Sequence, residues 1–368
     1  MKSCVLHIMI FFLNIIYTFL KLLPKRDKVV FMSRQSDNIN MDFSLLGNKL
    51  EKNHKVIYLC KKLNKNIKSI LSYGIHMFKQ MYHLATSKVC ILDSYMPTVS
   101  ILHHKRTLTI VQIWHSIGTM KKFGLGIVDK KEGSNKQIAN IMKQHKNYDI
   151  IFASSDAYKN YLAEGFGCST EKILTYTLPR IDMLFDKEYQ ENIKNKILNE
   201  YPILKEKQNI VYCPTFRKDE NKEVEKAIND MAKNIDYQRY NLIIKLHPLS
   251  KIEIKVENAI IDNKFSTFEM LSIADKVISD YSCVIYEAGV KNIPLYFYNF
   301  DMNEYDDIRG FNIDYSELPG YTSSNPKEII DSLDKEYDYN YLKQFINKYV
   351  TNQKDCTLKI VQKIEQYM

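Results

Sequence analysis

Short apolar runs alternate with helix-patterned segments along nearly the whole chain, and this alternation restricts the fold more than any other feature of the sequence. The runs predict strands at 29–32, 55–59, 89–92, 108–113, 150–153, 209–212, 242–246, 259–261, 276–278 and 295–297. Helical patterns occur at 43–52, 78–87, 155–164, 224–233, 267–272, 282–290 and 326–335. Apolar strands separated by helices are typical of parallel sheets that carry helices on both faces. An α/β fold is therefore predicted.

The strand–helix rhythm restarts in the second half, which predicts two domains. At 368 residues the chain is long enough for two cores of ordinary size. A charged, helix-prone stretch at 187–208 is the expected linker. We expect a membrane-associating helix at 1–26, αβα domains at 27–190 and 205–340, and a C-terminal helix at 341–368 that packs back. Two doubly wound, Rossmann-like domains facing a cleft would hold ligands at the carboxyl ends of their strands.

The charge balance of the chain favours an anionic partner. Lysine and arginine number 52 against 43 aspartates and glutamates, a formal net charge of +9. Such an excess suits nucleic acid, an acidic membrane surface or phosphorylated substrates, although a solvated lysine-rich surface would look the same. Neither zinc-finger spacing nor an RNA-binding aromatic signature occurs, so no nucleic-acid partner is expected. The seven scattered cysteines contain no Cys-x-x-Cys, which indicates a reducing compartment and no structural zinc.

The N-terminus raises the question of membrane attachment. Residues 4–23 are almost wholly apolar, and about 20 such residues could just span a bilayer. Pro24-Lys25-Arg26 follows them in place of a small-residue cleavage site, so a cleaved signal peptide is not expected. The polar residues fall on one helical stripe: His7, Asn14, Thr18, Lys21 and Lys25. We expect a monotopic helix in the interface, with a single span as the alternative, and the folded body on the cytoplasmic face at an anionic membrane surface.

One strand–turn–helix–strand unit carries the most informative polar turn. The predicted strand 276–278 leads into Ser279–Ser282, where a helical pattern begins. At such a turn, backbone N–H groups and the positive helix end face one point, a geometry commonly occupied by a diphosphate. Ser282 and Cys283 would lie at the helix start, and Glu287 about one turn further on. The alternative is an ordinary βαβ unit whose serine and aspartate merely cap the helix.

Further candidate side chains also follow predicted strands. His115 lies on a glycine-bearing loop after the strand that ends at Ile113, where a general base would be well placed. A histidine in such a loop can equally be a structural hydrogen-bonding residue. Arginine, lysine and a helix N-terminus converging on one cleft suit phosphate recognition. The candidates in the second half are Arg217, Lys245, His247 and Arg309.

No motif indicates a metal, a cofactor or a covalent mechanism. Gly-x-Ser-x-Gly, Walker and Gly-x-Gly-x-x-Gly patterns do not occur in the sequence. Asp301, Asp306 and Asp307 could hold a cation weakly, but a solvated acidic loop is expected there. We therefore expect neither an essential metal ion nor a cofactor.

A series of short motifs runs, in order, through roughly residues 75 to 325. They are Tyr82–Val89, Gln112–His115 with Lys121–Gly124, Pro179–Asp182, Pro214–Arg217, Lys245–Pro248, Ser279–Ser282, Tyr296–Tyr298, and Arg309–Phe311 with Glu317–Gly320. Each motif is weak alone, but in register they are specific at family level. Together they resemble the CDP-glycerol glycerophosphotransferases, which are the teichoic acid primases and polymerases.

The resemblance implies a GT-B fold and a membrane-associated cytoplasmic enzyme, with the acceptor on domain 27–190 and the nucleotide on domain 205–340. It implies transfer of glycerol phosphate from CDP-glycerol to a hydroxyl of an undecaprenyl-diphosphate-linked acceptor, with release of CMP. His115 would be the base that deprotonates this hydroxyl. Around the CDP diphosphate it places Arg217, His247, Asp280, Ser282 and Arg309. The predicted substrate-binding set also includes Lys245, Cys283 and Glu287.

The chain departs from the family pattern at two positions. Ser116 follows the Trp-His pair where many members have glycine, and Cys283 replaces the second serine of the diphosphate turn. A thiol is a weaker hydrogen-bond donor than a hydroxyl, so phosphate affinity at this turn is in question.

Competing functions stay open on the sequence. Ribitol phosphate could be the transferred group, since both donors share the CDP half. A GT-B glycosyltransferase that uses a nucleotide sugar would have His115 deprotonate a sugar hydroxyl. An inactive membrane scaffold would keep the fold and bind anionic lipid through its lysines.

Overall fold

The computed structural model describes residues 2–63, 67–217, 221–247, 250 and 252–368. Within them the chain forms two compact units. Unit 1 comprises Met1–Ile117, Lys122–Asp182 and Asn352–Met368, and unit 2 comprises Gly118–Lys121 and Met183–Thr351. Each unit is built on a six-stranded sheet whose paired strands are all parallel. The predicted α/β class is confirmed.

The sheet of unit 1 is a doubly wound parallel sheet. Its strands are β1 (Lys28–Ser33), β2 (Lys55–Cys60), β3 (Val89–Leu92), β4 (Thr109–Gln112), β5 (Ile150–Ala153) and β6 (Ile173–Thr175), in the spatial order β2-β1-β3-β4-β5-β6. Its helices are α1 (Lys2–Leu20), α2 (Met41–Leu50), α3 (Ile67–Thr86), α4 (Pro97–Ile101), α5 (Lys136–Ile141), α6 (Lys159–Phe166), the start of α7 (Arg180–Phe185), and α15 (Cys356–Glu365). Val29 to Met32 of β1 are fully buried, as expected for a central strand covered on both faces.

Unit 2 repeats this architecture. Its strands are β7 (Gln208–Cys213), β8 (Tyr240–Ile244), β9 (Ile260–Ile261), β10 (Lys276–Ser279), β11 (Leu295–Tyr298) and β12 (Gly320–Ser323), in the order β12-β11-β10-β7-β8-β9. Its helices are α8 (Lys187–Glu200), α9 (Asn221–Asn234), α10 (Thr267–Met270), α11 (Val284–Val290), α12 (Met302–Ile308), α13 (Pro326–Ser332) and α14 (Tyr339–Tyr349). Helix α9 buries Val224, Ala227, Ile228 and Met231 at helical spacing in the core that β7 and β8 also line.

Single 3₁₀ turns complete the fold at Gly124–Ile127, Asp156–Tyr158, Thr170–Lys172, Pro202–Lys205 and Tyr315–Glu317.

The register of neighbouring strands decides which loops meet. In unit 1, Leu92 of β3 pairs with Gln112 of β4, so the loops after these strands leave one edge of the sheet. In unit 2, Ser279 of β10 pairs with Cys213 of β7 and with Phe297 of β11. The loops after β7, β10 and β11 therefore also share an edge, which is where open α/β sheets build their sites.

Three elements differ from the sequence-based expectation. The predicted C-terminal helix is two helices, α14 and α15, separated by residues 350–355, and α15 packs against α2 of unit 1. The expected linker at 187–208 contains α8, which belongs to unit 2. The edge strands β6 and β12 were not predicted, because β6 has only three residues and β12 contains no apolar run.

Helix α1 is the one helix long and apolar enough to cross a membrane among the described residues. Part of its polar stripe is used within unit 1. The Asn14 side chain donates to Ile101 O (3.1 Å) and accepts from His103 N (3.0 Å), and Lys21 Nζ donates to His103 O (2.8 Å). The apolar side is exposed: Phe11 at 63%, Phe12 at 57%, Phe19 at 68% and Leu22 at 81%.

Candidate active site

His115 in unit 1 is held by the loop that follows the neighbouring strand. Its ring Nδ1 lies 3.1 Å from the backbone carbonyl oxygen of Asp93. A carbonyl can only accept, so Nδ1 carries a proton, and in the neutral imidazole Nε2 then carries the lone pair. The Gln35 Nε2 group, 3.4 Å from Nδ1, would favour the opposite tautomer, but its contact is the longer one. This tautomer gives a neutral imidazole whose Nε2 can accept a proton.

The loop that carries His115 has an unusual backbone. Trp114 has φ 64°, in the left-handed region that bulky residues rarely adopt. Its N–H donates to Gln112 Oε1 (2.8 Å), and Gln112 Nε2 donates to Ser94 O (3.2 Å). The indole contacts the His115 ring at 4.1 Å and the Phe123 ring at 4.8 Å between centroids. Strain of this kind persists only where neighbouring contacts hold it, and it is common at functional sites.

Asp93 is a buried carboxyl beside His115. It is 1% exposed and accepts from Asn40 Nδ2 (2.8 Å) and Ser94 Oγ (2.8 Å). Burial raises the pKa of Asp93 to about 6, since these hydrogen bonds only partly offset the cost of removing a carboxylate from water. The carboxyl can therefore change its charge close to neutral pH.

In unit 2 a buried ion triad ties together three loops at one sheet edge. Arg217 follows β7, Asp280 follows β10 and Asp301 follows β11, and all three are at most 5% exposed. Arg217 Nη1 donates to Asp280 Oδ2 at 2.7 Å. Its Nε and Nη2 donate to the two oxygens of Asp301 at 2.6 and 2.7 Å, a bidentate pair. The triad formally carries one net negative charge.

The charged groups of the triad are used to hold the backbone at Thr215, and not to face a ligand. Arg217 Nη1 also donates to Thr215 O (2.6 Å), and the Asp280 carboxylate accepts from Thr215 N (2.9 Å) and Thr215 Oγ1 (2.6 Å). The two aspartates raise the pKa of Arg217 and hold it charged. Direct contact of Arg217 and Asp280 with a diphosphate stays a prediction, and the geometry favours an indirect role for both.

Aromatic rings enclose the triad. The Tyr281 hydroxyl donates to Asp301 Oδ1 (2.9 Å), and the Tyr315 hydroxyl donates to the backbone oxygen of Asp280 (2.6 Å). Tyr281 stacks on Tyr305 with 4.4 Å between ring centroids. Rings packed in this way exclude water and strengthen the ion pairs beneath them.

The strand, turn and helix predicted around Ser279–Ser282 are present, but the helix begins later than expected and is short. Helix α11 starts at Val284 and has seven residues, so its dipole is small and neighbouring side-chain charges matter more. Ser282 and Cys283 are half-buried, and Cys283 Sγ lies 3.2 Å from Gly118 O. Glu287 lies on α11 and is 7% exposed.

The remaining predicted residues lie in different surroundings. Lys245 is 5% exposed, and its ammonium donates to the backbone oxygen of Asp262 (3.0 Å), to the Asp262 carboxylate and to Phe265 O. These contacts use the three N–H donors of Lys245, so the structure favours a structural role. His247 is exposed, with its ring 5.5 Å from that of Phe216, and its motif neighbour Pro248 lies outside the described residues. Arg309 is half-buried at the end of α12.

Sequence reasoning missed two charged residues at this edge. The expected solvated acidic loop is wrong for Asp301, which is buried in the triad, whereas Asp306 and Asp307 are exposed. Lys121 had no predicted role, although it lies in the motif Lys121–Gly124; it forms an isolated antiparallel bridge with Phe311. For Lys121 the sequence offered one signal, its place in a motif that matches the family, whereas it offered none for the burial of Asp301.

No group of three or more His, Cys, Asp or Glu side chains is arranged to hold a metal ion within the part of the chain that the structure describes. The expectation that no metal is essential stays a prediction.

Comparison with known families identifies the class of protein. The profile of the CDP-glycerol:poly(glycerophosphate) glycerophosphotransferase family matches residues 15–366, and the chain belongs to this family. Its members move a phosphate-linked alcohol from a CDP-alcohol, so the chain is a CDP-alcohol phosphotransferase in this broad sense.

The individual relatives share 30% of their sequence with the chain or less. The chain is 30% identical to a teichoic acid ribitol-phosphate primase of Bacillus spizizenii, over 90% of this chain and 89% of the relative. It is 30% identical to a teichoic acid glycerol-phosphate primase of Bacillus subtilis, over 75% of this chain and 72% of the relative. A structure of the wall teichoic acid polymerase TagF soaked with CDPG superposes with a TM-score of 0.75 at 19% identity, covering 99% of this chain and 97% of that one. The predicted GT-B-type fold is confirmed by such neighbours.

Proposed function

We propose that the protein transfers glycerol phosphate from CDP-glycerol to a hydroxyl of an undecaprenyl-diphosphate-linked membrane acceptor, releasing CMP. The product would be a teichoic acid or a phosphate-bearing capsule. The family match over residues 15–366 carries this proposal. The charged sheet edge of unit 2 and the base geometry of His115 support it.

In the proposed reaction His115 is the general base. Its Nε2, which carries the lone pair in the tautomer favoured by the Asp93 carbonyl, takes the proton of the acceptor hydroxyl. The acceptor oxygen bonds to the phosphorus that bears glycerol, and the bond from this phosphorus to the CMP oxygen breaks. The proton then leaves His115 for solvent or CMP.

The donor would bind at the sheet edge of unit 2. Phosphoryl displacements depend on positioning and charge neutralisation more than on covalent chemistry. The triad of Arg217, Asp280 and Asp301 would hold the turn at Ser282 and Cys283 in place. Side chains that present positive charge toward this turn, among them Arg309, would contact the diphosphate.

Ribitol phosphate is the second candidate for the transferred group. The specific observation in its favour is that the ribitol-phosphate primase matches 90% of the chain, against 75% for the glycerol-phosphate primase of Bacillus subtilis. The identities are equal at 30%, so relatedness does not decide between the donors.

We also propose that α1 lies in the membrane interface on the cytoplasmic face. Asn14 and Lys21 bond the loop around His103, so this side of the helix is occupied by protein. Helix α1 packs on α3, which exposes Leu71 and Ile75 as well. A helix with one side held by its own domain and the other side apolar suits interfacial seating better than a span.

Activity is tested by CMP release from purified protein with CDP-glycerol, CDP-ribitol or UDP-glucose and a lipid-linked disaccharide acceptor. We expect acceptor-dependent CMP release with one CDP-alcohol. His115→Ala should lower it roughly 10²- to 10⁴-fold, the usual contribution of a general base. The matched control is His54→Ala, since His54 pairs with Asp27 in the same unit. UDP release in place of CMP would overturn the proposal.

The membrane proposal is tested by topology. An epitope fused before Met1 should stay protected from protease in intact spheroplasts and be cleaved after lysis. Cleavage in intact spheroplasts would establish a span and overturn the interfacial assignment.

A further inference from the structure

Lys121 comes from the first half of the sequence but is built into unit 2. The short segment Gly118–Lys121 belongs to this unit. Lys121 forms an antiparallel bridge with Phe311, and the neighbouring Asn312 donates through its N–H to Met120 O (2.9 Å) and through Nδ2 to Lys121 O (2.9 Å). The backbone of Lys121 is therefore fixed beside the loop that follows α12.

The Lys121 side chain faces the charged edge of the sheet. Its ammonium lies 5.8 Å from the ring centroid of Tyr305 on α12. The ionisable groups that act on it are Arg309 after α12, Cys283 at the start of α11, Asp280 after β10 and Arg217 after β7. Burial, followed by repulsion from Arg309, lowers the pKa of Lys121 to about 8. This repulsion between Lys121 and Arg309 would be relieved by an anion bound beside them.

Charge balance shows why this lysine matters. The Arg217 guanidinium is matched by two aspartates, so the triad is formally negative and would by itself repel a diphosphate. Lys245 is held by Asp262. Lys121, which lies beside Tyr305 and interacts electrostatically with Cys283 and Asp280, adds a positive charge to this edge.

We propose that Lys121 is a donor-binding residue whose ammonium neutralises the diphosphate of the CDP-alcohol beside Cys283 and Arg309. This inference rests on the proposed function, because it assigns a residue to that same donor site. Lys121 contributes only while it is protonated. The affinity for donor is therefore constant below pH 8 and falls above it, by up to tenfold per pH unit.

The test measures dissociation constants by calorimetry, so that the titration of the catalytic base does not enter. CDP-glycerol, CDP-ribitol and CMP are titrated into the full-length protein and its variants between pH 6.5 and 9.5. Lys121→Met should weaken the CDP-alcohol roughly 10- to 100-fold, the range for loss of a charge-assisted hydrogen bond, and should remove the alkaline decline. CMP binding should change less, because CMP lacks the second phosphate. Lys121→Arg should restore affinity and keep it constant to the highest pH.

Lys122→Met is the matched control. Lys122 is the adjacent residue and carries the same charge, but its ammonium pairs with Glu164 of unit 1 at 3.2 Å. It should leave both affinities within twofold of the wild type. Equal affinities of the Lys121→Met and Lys122→Met proteins for a CDP-alcohol that the wild type binds would overturn the role of Lys121 alone. Failure of the wild type to bind either CDP-alcohol would overturn the proposed function as well.

Discussion

The two units differ in the electrostatics of the loops that follow their strands. In unit 1, the buried carboxyl of Asp93 is held by the neutral donors Asn40 and Ser94, and its pKa lies at about 6. In unit 2, the buried carboxylates of Asp280 and Asp301 are both paired with Arg217. The Asp93 carboxyl of unit 1 can change its charge near neutral pH, whereas the Arg217 guanidinium of unit 2 is held charged by its two aspartates.

This difference matches the chemistry that each edge would support. If His115 is the general base, a neighbouring residue whose carboxyl titrates near pH 6 can change the electrostatic field at this edge within the operating pH range. A site for a diphosphate needs loops that are held in place, and a buried ion triad that ties three loops together supplies this support. Substitutions that remove a cation from the buried ion pairs of unit 2, or the titrating carboxyl from unit 1, test this comparison directly.

The largest effect is expected from Arg217→Met. It would leave two aspartates buried without their cation, and it should lower the free energy of unfolding of unit 2 by about 3–5 kcal/mol. Urea denaturation followed by circular dichroism measures this change. Arg239→Gln is the control, because Arg239 and Asp334 form an exposed pair that should contribute less than about 1 kcal/mol. Similar small losses in both variants would contradict a buried, locked triad.

Lys245→Met separates a structural lysine from a substrate-binding one. Loss of the ammonium leaves the Asp262 carboxylate buried, and we expect a loss of about 3 kcal/mol in unfolding free energy. The dissociation constant of the CDP-alcohol for the folded variant should stay within twofold. Weaker donor binding at unchanged stability would restore the role that the sequence predicted for Lys245.

Asp93→Asn should remove the pH dependence that Asp93 gives to the stability of unit 1. The pKa of Asp93 is raised in the folded state, so the folded protein favours the protonated form; stability is lost as pH rises from about 4 to 6 and stays lost above 6. The asparagine variant should gain about 3 kcal/mol over the wild type at pH 7 and less than about 1 kcal/mol at pH 4. Denaturation midpoints at several pH values test this, and a gain that does not vary with pH would be the contrary result.

Asn40→Ala should give the smallest effect. Asn40 caps α2 through Phe43 N (2.8 Å) and also donates to Asp93. Loss of the cap should lower the unfolding free energy by about 1 kcal/mol. Loss of the second hydrogen bond should raise the pKa of Asp93 further, which carboxyl NMR titration would detect. An unchanged titration would show that Asn40 does not stabilise the ionised carboxyl.

The sequence predicted the sheets well because central strands are short apolar runs, and these remain visible without any partner. It missed β6 and β12 because edge strands need no such run, and Gly320–Ser323 contains none. It placed one helix at the C-terminus because α14 and α15 share a helical pattern across the break at 350–355.

The site was predicted less completely for a different reason. Arg217 lies 63 residues from Asp280 and 84 from Asp301, and no local pattern tells which distant charges will pair. The sequence therefore predicted Arg217 and Asp280 beside the diphosphate, but not that Arg217 pairs with both Asp280 and Asp301. The proposed role of His115 came from its place after a strand together with the family resemblance, whereas its tautomer required the position of the Asp93 carbonyl.

The membership of Asn352–Met368 in unit 1 has a consequence for how the protein is made. The Asp182 carboxylate accepts from the N–H groups of Cys356 and Thr357, both at 2.8 Å, where α15 begins. On the ribosome, residues 183–351 must be translated between these partners, which at common elongation rates takes on the order of ten to thirty seconds. The nascent chain must wait through this interval with the α15-binding surface of α2 uncovered, so unit 1 can be completed only after unit 2 has been synthesised.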